Sequence, residues 1–385
     1  MKKIVAALLL PWMSTIAVDL EDSEPLLFYN KTGLVISGFR FSNESSQPCI
    51  SINYGGNITI ENCWFGPSRD GEGVKLWRTE NVTIRNCYFE HVLCGVNAIE
   101  CKKIVVDNNN FYNIKSTRMD VRGNVAMFNN CTGGGLRITN NRAENIEGEC
   151  GTEDLVNLFQ SVGLADDPIL VAGNRFRGGG PSTSGGGLLA GDGGGAYAVI
   201  RDNILVNPGN YGVAISGGKF FKLLDNTIYQ EQKPWSNIPA YLWDWENLGN
   251  CSGHVIRGNK STYYDKHGRR REIWLPGNCR ADDIGGNDWN AGLTADILPE
   301  KLWDSEMPKS AHARERIDYA GHKGVRKATL IVPLFRTVVA GRQLGADGGT
   351  FYDLRGKRIA PRMLSKTAPA VLIETRHTPS SGRER

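Results

Sequence analysis

Between Leu34 and Ser261 the chain repeats one short phrase nine times, an apolar alternating strand followed by a polar turn. LVISGFRF, ITIENCWF, VTIRNCYF and IVVDNNNF open the series, and GLRITNNRA, ILVAGNRF, YAVIRDNIL, FKLLDNTI and HVIRGNKS continue it. Aligned on the turn, one position reads Phe39, Cys63, Cys87, Asn109, Asn141, Asn174, Asn203, Asn226 and Asn259, with gaps of 24, 24, 22, 32, 33, 29, 23 and 33 residues. A period of that length, with strand alternation and no helical pattern, specifies a solenoid.

A coil of three short strands and three turns takes a little over twenty residues. Successive coils pair at about 4.8 Å, so nine of them make a rod of roughly 40 Å. The expected fold class is all-β: a single-stranded right-handed parallel β-helix of about nine or more coils, with a small C-terminal β-rich tail. Stacking places like side chains in ladders. An asparagine amide has two donors and an acceptor, enough to bond its own turn and the rungs on either side. The asparagines from Asn109 to Asn259 are therefore read as scaffold, and Cys63 and Cys87 as a small buried ladder in the same column. Open ends need caps, and Val18 to Lys31 and part of residues 265–303 are expected to supply them.

The opening MKKIVAALLLPWMSTIA has a basic start, a short apolar stretch and small residues near its end. It reads as a secretory signal peptide over residues 1–17, too short for a membrane span. The organisation expected is this signal, a β-helix over 18–303, a charged linker over 304–328 and a β-rich domain over 329–385. Nine cysteines in an exported chain leave at least one thiol unpaired, and spacing suggests Cys251 with Cys279 and Cys131 with Cys150. Seven Asn-X-Ser/Thr sequons follow from the residues that crowd such turns. Residues 305–385 hold 16 Lys plus Arg against 7 Asp plus Glu, a surplus of nine, which leaves residues 1–304 acidic by five. An acidic rod argues against nucleic acid as partner, and no zinc spacing, P-loop or helix-turn-helix pattern occurs. The chain is read as a monomer needing no cofactor, with calcium, a ligand of aspartate oxygens, left open at Asp154 and Asp192.

A second set of strands lies between the asparagine turns: CISIN from Cys49, VKLWR from Val74, VNAIE from Val96, VAMFN from Val125, VNLFQ from Val156, LLAGD from Leu188, VAISG from Val213 and YLWDW from Tyr241. Read in parallel, their first and third residues face the core and the others face out. The outward column holds Lys75, Trp77, Arg78, Asn97, Glu100, Asn129, Asn157, Gln160, Asp192, Ser216, Asp244 and Trp245. Aromatic and amide side chains in rows about 4.8 Å apart form a groove suited to an extended sugar chain. Its densest polar part is Glu153, Asp154, Asn157 and Gln160, one rung before Asp192. Two carboxylates about 5 to 9 Å apart serve glycoside hydrolysis, so Asp154, Asp192 and Glu153 are the candidate catalytic residues. Elimination on a uronate would instead need a base beside a cation, and Lys75, Arg78, Arg118, Arg122 and Lys219 are dispersed. Asp and Gly at these positions also serve turns for local reasons. Trp235 and Trp245 are candidate stacking residues, Trp243 is read as core, and His254 as structural. The glycine run from Gly178 to Gly195 lacks the ending and helix of a phosphate cradle and reads as a close-packed turn.

The repeat phrases resemble the pectate-lyase-like right-handed β-helix superfamily over roughly residues 30–290. The runs NLFQSVG, RFRGGGPSTSGGG and ILVNPGNYGVAISGG are similar to those of exported bacterial β-helix proteins. That likeness implies fold more than chemistry, since such folds carry lyases, hydrolases, epimerases and adhesins. The tail GGTFYDLRGKRIAPRMLSKTAPAVLIETR resembles a type IX secretion C-terminal sorting domain, with Tyr352, Asp353, Leu354, Gly356 and Ile359 matching its first element and Ala370 to Glu374 its second; Ala370 and Leu372 depart from the usual Gly and Tyr. It implies export, with the tail engaging the export machinery. The expected function is a secreted or cell-surface polysaccharide-active enzyme, lyase or hydrolase, and the alternative is a non-catalytic glycan-binding or adhesin-like surface protein.

Overall fold

The computed structural model of the protein describes residues 20–115 and 123–302, with the backbone of a few two- and three-residue strands outside them. The chain winds as a right-handed parallel β-helix whose rungs each visit three sheets in turn. The first sheet runs from Leu26–Thr32 through Ile50, Val74, Val96, Ala126, Val156, Leu188 and Val213 to Ile238–Leu242, in register throughout. The second carries the apolar half of the repeat phrase, and the third follows each asparagine turn and contains ten strands.

Register makes the core a set of side-chain columns. In the second sheet Ile36, Ile60, Ile84, Val106, Ile138, Val171, Ile200, Leu223 and Ile256 stack over one another, all buried. In the third, Phe41, Phe65, Phe89 and Phe111 stack face to face at 5.2, 4.6 and 4.7 Å. Such side chains contribute about 1.5–3 kcal/mol each on burial, and the ring stacks add about 0.5–1.5 kcal/mol per pair.

The asparagine turn has a two-residue logic. The residue before each column position is left-handed: Gly38, Asn62, Asn86, Asn108, Asn140, Gly173, Asp202, Asp225, Gly258 and Gly286 all have φ between 52° and 83°. Gly, Asn and Asp tolerate that region best, which is why the phrase ends in NN, GN or DN. The following asparagine points inward. Asn174 Oδ1 accepts the backbone N–H of Asn141 at 2.9 Å and its Nδ2 at 3.0 Å, while Asn174 Nδ2 donates to Ile138 O and to Asn203 Oδ1, both at 2.9 Å. The same bonds recur from Asn109 to Asn259, each 1% exposed or less. Asn287 extends the column one rung beyond the sequence reading, accepting from Asn259 at 3.0 Å. Cys63 and Cys87 fill the earlier positions, their thiols directed at Ile36 O and Ile60 O.

The ends differ from expectation. Glu21–Ser23 and Leu26–Thr32 are themselves strands of the third and first sheets rather than a separate cap. Ala281–Gly285 adds a strand to the second sheet. Residues 291–302 then double back as a strap along the outside of the third sheet, where Leu298 and Leu302 pack with Trp64, Tyr88 and Val206. Arg177 donates to Pro299 O and Glu300 O, and the Leu302 N–H reaches Glu144 Oε2 at 3.0 Å. The backbone of 329–331 runs antiparallel beside Val35–Ser37; the signal peptide, linker and most of the sorting-like tail lie outside the described residues. Cys251 and Cys279 are disulfide-bonded as expected from spacing. Cys131 and Cys150 are not, because Cys131 is sealed in the core with its thiol directed at Ala98 O while Cys150 lies in the loop after the third sheet.

Candidate functional site

The outer face of the first sheet is built by alternation. One row reads Ser51, Lys75, Asn97, Met127, Asn157, Leu189, Ala214 and Tyr241. The next begins Asn53, Trp77, Ile99, Asn129 and Phe159. The bend bordering it carries Tyr54, Arg78, Glu100, Asn130 and Gln160, all with positive φ. Lys75, Trp77, Arg78, Asn97, Glu100, Asn157 and Gln160 thus share one face. Three strands are shifted by one residue from the sequence reading: Ile50, Ala126 and Ala240, not Cys49, Val125 and Tyr241, occupy the first inward position. Because side chains alternate, that slip exchanges faces. Trp243, read as core, instead stands outside against Tyr241 at 6.5 Å and Trp274 at 5.1 Å, while Leu242 is buried.

Midway along this face lies a carboxylate pair. Asn157, on the sixth rung, donates from Nδ2 both to Asp154 Oδ2 at 2.8 Å and to Asp192 Oδ2 at 2.9 Å. The two carboxylates are therefore within two hydrogen-bond lengths of each other. Asp154 also accepts from the Gly186 N–H at 3.0 Å and from the Tyr211 hydroxyl. Its surroundings oppose one another: burial disfavours the anion, while the Tyr211, Gly186 and Asn157 donors favour it. Burial prevails, and its pKa is pushed up to about 7. Tyr211 is raised as well, by burial and by the nearby Asp154 charge. Asp154 is 3% exposed, whereas Asp192 is partly exposed at the edge of the groove. Sequence reasoning missed Tyr211, which lies 57 residues from Asp154 and meets it only through the stacking of rungs.

The other candidates go elsewhere. Glu153, beside Asp154, turns the opposite way and accepts from Ser182 at 2.9 Å and Ser184 at 2.7 Å. Asp244 is buried and accepts the Leu248 and Gly249 N–H groups at 3.0 and 2.8 Å, closing a turn, with Trp245 exposed in the loop that follows. Trp235 lies off the groove, lining a cavity of about 250 Å³ with Glu144, Glu147, Arg177 and Lys233. The glycine run is closed by backbone: a Cβ at Gly179 would meet Pro208 O at 1.9 Å and one at Gly187 would meet Gly212 O at 1.9 Å. His254 is buried, accepts the Phe221 N–H on Nδ1 at 3.2 Å and stacks on Phe221, and burial lowers its pKa to about 4.

Aromatic side chains mark both ends of the face. Tyr29, Tyr54 and Trp77 follow one another at 5.4 and 5.1 Å near its start, and Tyr241, Trp243 and Trp274 cluster at its finish. The Asn157 amide nitrogen, a donor, stands between the two carboxylates. Among the described residues no group of three or more His, Cys, Asp or Glu could hold a metal. No helix among them is long and apolar enough to cross a membrane.

A family model described as a right handed beta helix region matches residues 25–230. No curated protein matches the chain. Among solved structures it is similar to PfbA, a surface adhesin of Streptococcus pneumoniae, at 13% identity and a TM-score of 0.43, over 67% of this chain and 62% of that one. The catalytic domain of a GH87 alpha-1,3-glucanase is similar at 13% identity and a TM-score of 0.37, over 66% of this chain and 54% of that one. Endopolygalacturonase I from Stereum purpureum is similar at 14% identity and a TM-score of 0.36, over 69% of this chain and 70% of that one. The chain spans less than two thirds of the length of the first two.

Proposed function

The chain belongs to the right-handed β-helix family, and from that premise we propose that it is a secreted or cell-surface protein that binds an extended polysaccharide along the first sheet and hydrolyses it at Asp154 and Asp192. The observation that carries this reading is the Asn157 amide shared by two carboxylates on neighbouring rungs, midway between the two aromatic clusters. In hydrolysis the bond from the sugar carbon to the bridging oxygen breaks, that oxygen takes up a proton, and a hydroxyl derived from water ends on the carbon. Asp154, half-protonated at about pH 7, is the proton donor of the pair. Asp192 is the carboxylate facing the sugar carbon. Because Asp154 lies beneath the groove, the bound sugar meets it by displacing the Asn157 amide. The resemblance of the tail to a type IX sorting domain supports export as its role.

The burial of Asp154 also favours a second reading, in which Asp154 is a structural group tying Gly186 to Tyr211 and the groove binds glycan without cleaving it. Release of reducing ends from a polysaccharide panel by the full-length chain decides between them. Hydrolysis requires activity that falls by about 10²-fold or more in both Asp192→Asn and Asp154→Asn while glycan binding persists. Binding with no new reducing ends in the wild type would establish the second reading.

A further inference from the structure

Taking the glycan reading of the groove as its basis, we propose that the sugar chain it accepts is uncharged, bearing neither uronate nor sulfate. Among the described residues the outer rows of the first sheet and the bend beside them carry two cations, Lys75 and Arg78. Each is already paired with a carboxylate. Lys75 Nζ lies 3.2 Å from Glu72, whose other oxygen accepts from Asn97 Nδ2 at 2.6 Å. Arg78 Nε donates to Glu100 at 2.7 Å, and its guanidinium lies against the rings of Trp77 and Tyr54 at 4.9 and 6.0 Å. Lys219 begins the second sheet, beyond the bend. The carboxylates are distributed differently: Asp154 and Asp192 have amide, hydroxyl and backbone partners but no cation.

A polyuronate or sulfated chain lying here would bring its anions beside carboxylates where, among the described residues, each cation already has a carboxylate partner, which disfavours it electrostatically. Elimination from a uronate is disfavoured for the same reason, since it needs a positive group to neutralise the sugar carboxylate as the neighbouring proton leaves. What the face offers instead is rings for sugar faces and amides for hydroxyls. Asn97 Oδ1 and Asn157 Oδ1 have no partner within the protein, and both atoms are sealed from solvent. Both residues stand in the same outward row, two rungs apart.

The charge class is read by binding and the chemistry by cleavage, so the two can fail separately. The full-length chain is run by affinity electrophoresis through gels containing a β-glucan, a galactomannan or a xylan, and through gels containing polygalacturonate, alginate or chondroitin sulfate. Retardation by a neutral polymer, at least about tenfold stronger than by any polyanion, is expected whether or not reducing ends appear. Retardation by a polyanion of equal or greater strength, or absorbance near 235 nm from a uronate, overturns the proposal. Retardation by none of the six overturns the glycan reading together with it. The double variant Glu72→Gln, Glu100→Gln frees both cations and is expected to acquire retardation by polygalacturonate; if it does not, pairing of Lys75 and Arg78 is not what excludes anions.

Discussion

Asp154 is the residue whose ionisation the fold most clearly controls. Its carboxyl keeps its proton to about pH 7 in the folded chain, while an unfolded aspartate loses it near pH 3.9. Between those values the native state binds more protons than the unfolded one, so the contribution of this group to stability falls as pH rises. Relative to the wild type, Asp154→Asn should gain melting temperature progressively from pH 4 to pH 7 and no further above it. A constant difference would mean that the carboxyl is not shifted. His254 acts with the opposite sign, since its lowered pKa makes stability fall as pH drops from about 6.5 toward 4, and it cancels in that comparison. Asn174→Ala would leave the Asn141 donors and the Ile138 and Asn203 acceptors without their partner. A loss of roughly 3 kcal/mol or more in denaturant unfolding is expected; a loss under about 1 kcal/mol would show that water replaces the amide.

For single strands, legibility followed how much each strand constrains itself. The asparagine phrase could be read because its turn demands two things at once, a left-handed residue and an amide that fits a buried column, and few residues meet both. Asn287 meets both after Gly286, yet Ile284 is exposed and the rest of its short strand is at most half-buried, so the apolar signal there is weak. The first-sheet strands lack such a marker. Cys49 and Val125 are buried just ahead of the true inward positions, so two apolar residues in a row left the alternation ambiguous, and Tyr241 was assigned to the wrong face. Carboxylates that meet across 35 or more residues were legible only through rung counting. In the third sheet, Phe89 lies between Phe65 and Phe111. Phe89→Ala should cost about 3–5 kcal/mol, read from the denaturation midpoint, whereas Phe89→Leu should recover most of it.

Over the length of the rod the carboxylate pair has an aromatic cluster on each side. Trp77 stands three rungs before Asn157 and Trp243 three rungs after it, about 14 Å each way at the β-sheet spacing. A glycan touching both clusters must extend through the pair, so cleavage is expected within a chain rather than at its end. Affinity for oligosaccharides of increasing length should rise until the ligand spans about 28 Å and then level off. Trp77→Ala and Trp243→Ala should each weaken binding of long ligands about 3- to 10-fold while leaving the shortest unaffected. Affinity independent of length would place recognition at one cluster only.

The strap gives the molecule a mechanical polarity. Leu302, where the described rod ends, is tied by its amide to Glu144 on the fifth rung, and the carbonyls of Pro299 and Glu300 are held by Arg177 on the sixth. Tension applied at Leu302 therefore enters near the midpoint of the rod and is borne as shear along the third sheet. The last coils, which would otherwise peel away one at a time, sit outside the path of the load.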